Sequence, residues 1–160
     1  MREENKMIRF ANEKDLVRVN ELRKEVNDLH VEGRPDIFKE GFSAELRDYI
    51  YKIWEEENKE IIVAERNGVI CGYACILFHV KQETPYTHVR KFCNVEEVGV
   101  DASFRRQGVA TEIFQFIKAE AKKRGFERIE LDMWEFNEEA LEFYEKIGFK
   151  TYRRYMEYSV

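Results

Sequence analysis

Asn67 and Gly68 stand between two apolar runs, Ile61 to Glu65 and the stretch VICGYACILF that starts at Val69. Asn-Gly is the strongest two-residue hairpin signal, because both residues accept the left-handed backbone a tight turn requires. The two runs are therefore predicted to be antiparallel neighbours. VICGYACILF shows no polar alternation, so it reads as a central strand covered on both sides. Helical stripes to cover it lie on either side in sequence. Leu16, Val19, Leu22, Val26 and Leu29 recur at steps of three and four between Glu13 and Leu29, with Asn12 or Asp15 available as the cap. After a break at Gly33 and Pro35, Leu46, Tyr49, Ile50, Ile53 and Trp54 form a second stripe that begins near Ser43.

Met7 to Phe10 reads as a short first strand, and Lys91 to Val100 as the strand after the hairpin. A helix then runs through RRQGVATEIFQFIKAEAKKRG, with Ile113, Phe116 and Ile117 inward and Gly125 at its end. RIELDMW, around Ile129 and Leu131, is the next strand. Asn137 to Ile147 makes a last helix, with Ala140, Leu141, Tyr144 and Ile147 on one face and Gly148 as its stop. The alternating tail FKTYRRYMEYSV is predicted to be a final strand. The expected order is strand, two helices, three strands, helix, strand, helix, strand, a mixed α/β layout with a sheet between helices.

At 160 residues and 19.3 kDa, with no linker, repeat or low-complexity tract, residues 1–160 read as one domain. The 27 basic and 32 acidic residues leave a net charge of -5, which argues against nucleic acid as a partner. No run nears the roughly 20 apolar residues of a membrane span, and MREENKMIRFANEKD is not a signal peptide. The expectation is a cytoplasmic protein with no membrane partner. Cys71, Cys75 and Cys93 match no zinc spacing and lie apart from His30, His79 and His88, so no metal site is expected and the cysteines count as small hydrophobes.

The most chemical segment is VEEVGVDASFRRQGVATEIF. A strand ends at Val100, a short turn follows, and Arg105 to Ala110 opens a helix. Gly108 allows close backbone approach, and the free N–H groups of a helix start can receive phosphate oxygens, with Arg105 and Arg106 adding charge. The turn is neither GxGxxG nor GxxxxGK[ST], so it signals neither a dinucleotide fold nor a triphosphate loop. Taken alone it also fits a plain strand-to-helix connection.

RRQGVA fits the [QR]-x-x-G-x-[GA] pattern with Arg105, Gly108 and Ala110 at its defining places, and so resembles the GCN5-related N-acetyltransferase (GNAT) superfamily. EEVGV before it and NEEALEFYEKIGF after it resemble that family's strand and carboxy-terminal motifs in order and spacing. The resemblance implies the acyl-CoA N-acyltransferase fold, a mixed and mostly antiparallel sheet flanked by helices whose fourth and fifth strands splay apart. It implies acetyl-CoA as cosubstrate, with Val98 and Val100 along the pantetheine arm. The turn backbone from Gln107 through Val109 and Ala110 to Thr111 would hold the pyrophosphate, and Asn137, Ala140 and Tyr144 would line the arm.

The activity implied is acetyl transfer to a primary amine by direct attack in a ternary complex, with no covalent protein intermediate. Tyr144 is the expected acid for the leaving sulfur and the Val98 N–H the polarising donor. Glu96, Glu97 and Asp132 are the candidate bases, Asn94 standing where histone-modifying relatives carry theirs. A regular strand would point Glu96 and Glu97 to opposite faces, so that one of them meets the substrate. His30, Asp36, Phe38 and Tyr86 are the candidate acceptor contacts, with Phe42 and His88 behind them. A small amine or a peptide amine fits equally, a non-catalytic acetyl-CoA sensor is the alternative, and Tyr152, Tyr155 and Tyr158 would either finish the sheet or support a homodimer.

Overall fold

A computed structural model describes residues 3–160. Strand β1 (Lys6–Phe10) pairs antiparallel with β2 (Lys59–Arg66), which pairs antiparallel with β3 (Val69–Lys81). Between β2 and β3 the hairpin forms where the sequence places it, with Asn67 at φ 49° and Gly68 at φ 82°. β3 pairs antiparallel with β4 (Arg90–Val100), and β4 pairs parallel with β5 (Ile129–Glu130), giving the sheet order β1-β2-β3-β4-β5.

Helices α1 (Leu16–Gly33) and α2 (Ala44–Glu55) cover one face, while α3 (Val109–Lys123) and α4 (Glu138–Lys146) lie on the other. The unbroken apolar character of β2 and β3 follows from this double cover. Ile61, Val63, Tyr73 and Cys75 pack beneath Leu16, Val19, Ile50 and Ile53, whereas Ile62, Ala74 and Ile76 meet Ile113 and Ile117. Each fully buried isoleucine stabilises the fold by about 1.5–3 kcal/mol relative to an exposed one. Leu29, Leu46, Tyr49 and Trp54 complete the sequence stripes but remain 36–42% exposed. The side chain of Ser43 caps α2 and that of Asn137 caps α4.

Two predicted strands differ. RIELDMW contributes only Ile129 and Glu130 to the ladder, and FKTYRRYMEYSV forms no strand, with residues 150–160 all exposed. Alternation licensed a strand in the tail, but a strand requires an adjacent edge, and no backbone hydrogen bond among the described residues carries the chain past Phe149 onto β5. Among the described residues no helix is long and apolar enough to cross a membrane.

Candidate active site

β4 and β5 are joined only at Cys93–Ile129 and Asn94–Glu130. Beyond that point they part, and a cavity of about 1460 Å³ opens with Val98 to Val100 on one wall and Leu131 to Trp134 on the other. An irregularity in β4 contributes to the parting. Cys75 faces Glu97 and Ile76 faces Val95, so Glu96 is an extra residue, a bulge that bends the strand.

At one end of the cavity the chain leaves Val100, passes a short 3-10 turn (Ala102–Phe104), and enters α3. Asp101 fixes this passage. Its carboxylate accepts from the Ser103 N–H at 2.8 Å and from the Arg18 guanidinium, and its own N–H donates to the Cys71 carbonyl at 2.8 Å. Chiefly through the Ser103 hydrogen bond, its pKa is held below the usual carboxylate value. Arg106 (φ 60°) and Gly108 (φ 79°) then take left-handed backbone, and Gly108 precedes the first helical residue. It supplies no capping side chain, so the first-turn N–H groups of α3 lack a side-chain acceptor.

The space where a Cβ of Gly108 would lie is open. Arg105 and Arg106 are exposed and, among the described residues, neither is paired with a carboxylate. The α3 start is held in place from behind, where the buried Arg66 of β2 pairs with Glu112 in its first turn. Uncapped donors, two free guanidinium groups and open space fit a diphosphate.

Tyr144 of α4 lines the middle of the cavity. Its ring is packed by Phe114 at 5.7 Å and Phe149 at 5.7 Å, and burial pushes its phenol up to about 12. It therefore stays protonated through the neutral range. Asn137 and Ala140 line the same wall.

At the other end stand the carboxylates. Because of the bulge, Glu96 and Glu97 both turn to the α1–α2 face, a correction to the regular-strand expectation of opposite faces. The buried Arg23 of α1 donates through Nε to Glu97 Oε1 at 3.2 Å and Oε2 at 3.4 Å, and the Tyr73 hydroxyl donates to Oε1 at 3.3 Å. Arg23 is itself held by the Asn20 side-chain oxygen at 2.9 Å and the Leu46 carbonyl at 2.7 Å. Burial, then the Glu97 charge, keeps the Tyr73 phenol well above its ordinary pKa, so it stays protonated and donates to that carboxylate. Glu96 has a simpler partner, Lys59 at 3.3 Å. Asp132 is exposed on the opposite wall, and Glu25 of α1 is a further exposed acid lining the cavity.

His30 and Phe38 form an aromatic wall, stacked at 5.0 Å with 20° between planes, and Trp134 meets Phe38 edge-on at 5.3 Å. Burial lowers the His30 pKa below 6.5 against the opposing field of Glu97.

Thus the turn from Arg105 to Thr111, apart from Gln107, lines one cavity with Val98, Val100, the α4 residues, Glu96, Glu97, Asp132, His30 and Phe38. Gln107 instead directs its amide to the Ser103 carbonyl at 3.3 Å. Asp36 lies off the cavity wall because Arg34 binds it at 2.9 Å and 2.8 Å, and Tyr86 stands 96% exposed in the loop between β3 and β4, away from the cavity. The sequence reading did not single out Arg23, Tyr73, Lys59, Glu25 or Trp134. Their weight comes from long-range pairing that no local pattern announces. All three cysteines are free and buried, and burial raises the pKa of each, to about 12 for Cys93.

The model of the Acetyltransferase (GNAT) family matches residues 23–149. An uncharacterized N-acetyltransferase of Methanocaldococcus jannaschii is 30% identical over 105 residues, which is 65% of this chain and 45% of that protein. The chain thus spans less than half the length of that curated relative. Among solved structures, a tetramutant of the BH1408 protein from Bacillus halodurans superposes with TM-score 0.92 at 27% identity, over 96% of this chain and 99% of that one. The aminoglycoside N-acetyltransferase AAC(6')-Iy, solved in complex with CoA, shares the fold with TM-score 0.79 at 19% identity, over 99% and 97% of the two chains.

Proposed function

The chain belongs to the acetyltransferase (GNAT) family of acetyl-CoA-dependent acetyltransferase enzymes, and from that membership we propose that it transfers acetyl to a primary amine by direct attack with both substrates bound. One observation carries the reading. The uncapped, glycine-led start of α3 and the protonated phenol of Tyr144 line a single cavity between parted strands.

When bound, acetyl-CoA supplies the acetyl group as a thioester open to attack by nitrogen. The backbone N–H groups at Val109, Ala110 and Thr111 hold its diphosphate, and Arg105 and Arg106 add charge. Val98 and Val100 align the arm along the β4 edge, with Asn137 and Ala140 bordering it from α4. The Val98 N–H polarises the carbonyl, a type of donor whose removal costs about 10²–10³ in rate. Tyr144 holds a proton at Oη for the departing sulfur. The buried, high-pKa cysteines are poor nucleophiles, which supports attack without a covalent protein intermediate.

Glu96 suits the base better than Glu97. Both oxygens of Glu97 already accept hydrogen bonds from Arg23 or Tyr73, whereas Glu96 answers only to Lys59. Glu97 then sets the field at the acceptor end, joined by the exposed acids Glu25 and Asp132, which draws a cationic amine. His30 and Phe38 wall the amine's body. The acceptor is a small amine or a peptide amine.

Titration with CoA and acetyl-CoA, followed by thiol release over a panel of small amines and peptides, tests the reading. Saturable binding and turnover with at least one amine are expected. Failure to form a saturable complex would overturn the reading entirely, and binding without turnover across the panel would leave a holder of acetyl-CoA in place of an enzyme.

A further inference from the structure

The acceptor end of the cavity offers more apolar surface than an amine nitrogen needs. Leu29 of α1 and Leu46 and Tyr49 of α2 line it while remaining 40%, 36% and 42% exposed. Large apolar side chains left uncovered side by side mark a surface that binds something. Charge, by contrast, is sparing there. Glu97 and Glu96 are partnered by Arg23, Tyr73 and Lys59, which leaves, at this end and among the described residues, Glu25 and Asp132 as the wall carboxylates outside any salt bridge. A polycation with several spaced ammonium groups finds too few counter-charges on such a wall, whereas one ammonium finds enough.

The apolar surface is built largely of rings. His30 stacks on Phe38 at 5.0 Å, Trp134 meets Phe38 edge-on at 5.3 Å, and all three line the cavity. Burial lowers the His30 pKa, so at neutral pH its imidazole is an uncharged aromatic surface that does not repel an ammonium group. Phe42 and Tyr49 add rings on the α2 side, 5.6 Å and 5.9 Å from the Arg23 guanidinium carbon. Between those rings and Glu97, the Arg23 charge is shielded from the acceptor.

This wall is also held rigid from behind. Phe136 contacts both of its sides, with ring centres 6.4 Å from His30 and 6.4 Å from Trp134. Its own ring rests on Gly33, the last residue of α1, where a Cβ would lie only 2.3 Å from it. A residue without a side chain is what admits that approach, and the contact ties the end of α1 to the chain after β5. The rings are thus in place before a ligand arrives, which reduces the ordering cost of binding.

We infer that the acceptor is a primary monoamine whose nitrogen lies a few bonds from an aromatic ring, the ring packed on His30, Phe38 and Trp134 and the nitrogen directed to Glu96. Aromatic rings prefer offset or edge-on partners, and this wall presents both arrangements. A free arylalkylamine and a peptide with an aromatic first residue share that chemistry. In the reaction the neutral nitrogen forms its bond to the acetyl carbon as the carbon–sulfur bond breaks. Its surplus proton passes to Glu96 and the Tyr144 proton to the sulfur, giving an amide and a free thiol, and exchange with water restores both side chains. The inference rests on the acetyl-transfer reading for that step, but the recognition of the ring can be measured without it.

Transfer to 2-phenylethylamine, 2-cyclohexylethylamine, n-butylamine and spermidine tests the wall. The kcat/KM for 2-phenylethylamine should exceed that for n-butylamine by about tenfold and that for the equally apolar cyclohexyl compound by about threefold, with the difference residing in KM. A second readout needs no turnover. In a Trp54→Phe chain Trp134 is the sole tryptophan, and 2-phenylethylamine added to the CoA-loaded protein should change its emission saturably. Equal or better transfer to n-butylamine or spermidine would overturn the inference and leave the acetyl-transfer reading standing. A saturable Trp134 response with no transfer to any amine would do the reverse, and no response and no transfer would remove both.

A phenylalanyl-glycyl-glycine arm separates the two sources. Transfer to the free amine ahead of the tripeptide identifies a small molecule, and the opposite order a peptide. Phe38→Leu keeps the wall apolar but removes a ring, and should bring the phenyl-to-cyclohexyl ratio close to one. Gly33→Ala drives Phe136 from its seat without altering a residue of the cavity, and should reduce the same ratio through KM with kcat retained. An unchanged ratio in both variants, each shown by a cooperative melt to be folded, would overturn the inference.

Discussion

The two ends of the cavity are built in opposite ways. At the α3 end the groups offered are main-chain N–H donors, presented by a turn whose shape depends on Gly108 and on Asp101 behind it. At the α1–α2 end they are side-chain charges, the two on β4 already partnered: Glu97 with Arg23 and Tyr73, Glu96 with Lys59. A backbone site tolerates almost any side chain provided the local conformation holds, whereas a paired-charge site fails when a partner residues away is lost. The first end therefore suits a constant ligand, and the second can change its acceptor by exchanging partners.

The largest expected effect touches neither end. Tyr144→Phe should lower the chemical step by about 10²–10⁴, the range for a lost general acid, while leaving the acetyl-CoA dissociation constant unchanged. Single-turnover transfer at the wild-type rate would remove Tyr144 as the acid. With its phenol raised to about 12, the wild-type profile should show no falling limb from Tyr144 near its ordinary value of 10.0. A limb there would mean that the ring is solvated when substrates bind.

Gly108→Val tests the α3 end alone. A β-branched residue at φ 79° is strained, and its side chain would fill the open space before the helix. Acetyl-CoA affinity should fall on the order of a hundredfold, about 2.8 kcal/mol, as read by calorimetry. Amine saturation measured at the higher cofactor concentration should be unaltered. If amine affinity fell in parallel, the two ends would not be separable in the way their construction implies.

The difference in construction also explains what the sequence disclosed. RRQGVA, the Asn67-Gly68 hairpin and the stop at Gly148 are local, and each states its backbone conformation within a few residues, so the turn, the central strands and the last helix were all legible. The facing of Glu96 was not. A bulge depends on the register between β3 and β4, and a single inserted residue reverses the alternation on which the regular-strand reading relied. Arg23 looked like one more charged residue on a helix until folding placed it 74 positions away in sequence against Glu97. The tail failed for a related reason: its alternation described a strand, but pairing needs an edge, and the chain's own β5 does not accept it.

Arg23→Gln breaks the charge-paired end. Removing one partner of a fully buried pair costs roughly 3–5 kcal/mol, and because the Glu97 side chain is 25% exposed the loss here should be smaller, about 2 kcal/mol after allowance for solvent screening. Denaturant unfolding measures it. The double variant Arg23→Gln/Glu97→Gln should recover part of that loss, since the unpaired carboxylate is then gone. Acetyl-CoA binding should not change in either variant, and a weakened complex would show that the two ends share a support.

The smallest expected effect concerns His30 and has a definite sign. Its folded-state pKa lies below 6.5, primarily because burial disfavours the imidazolium, with Glu97 opposing. The folded state thus binds fewer protons than the unfolded chain between the folded pKa and 6.5, so stability declines as pH falls through that window and no penalty exists above it. His30→Gln removes the titration, and the stability difference between wild type and variant should shift in the variant's favour on acidification. Coupling then gives the sharper test. In Arg23→Gln the Glu97 charge loses its counter-ion, its field at His30 strengthens, and the His30 pKa should rise toward or past its ordinary value, a change that the imidazole resonances report directly. An unmoved His30 in that variant would mean that Glu97 exchanges its guanidinium for solvent, and that the acceptor end is screened by water rather than by its own pairs.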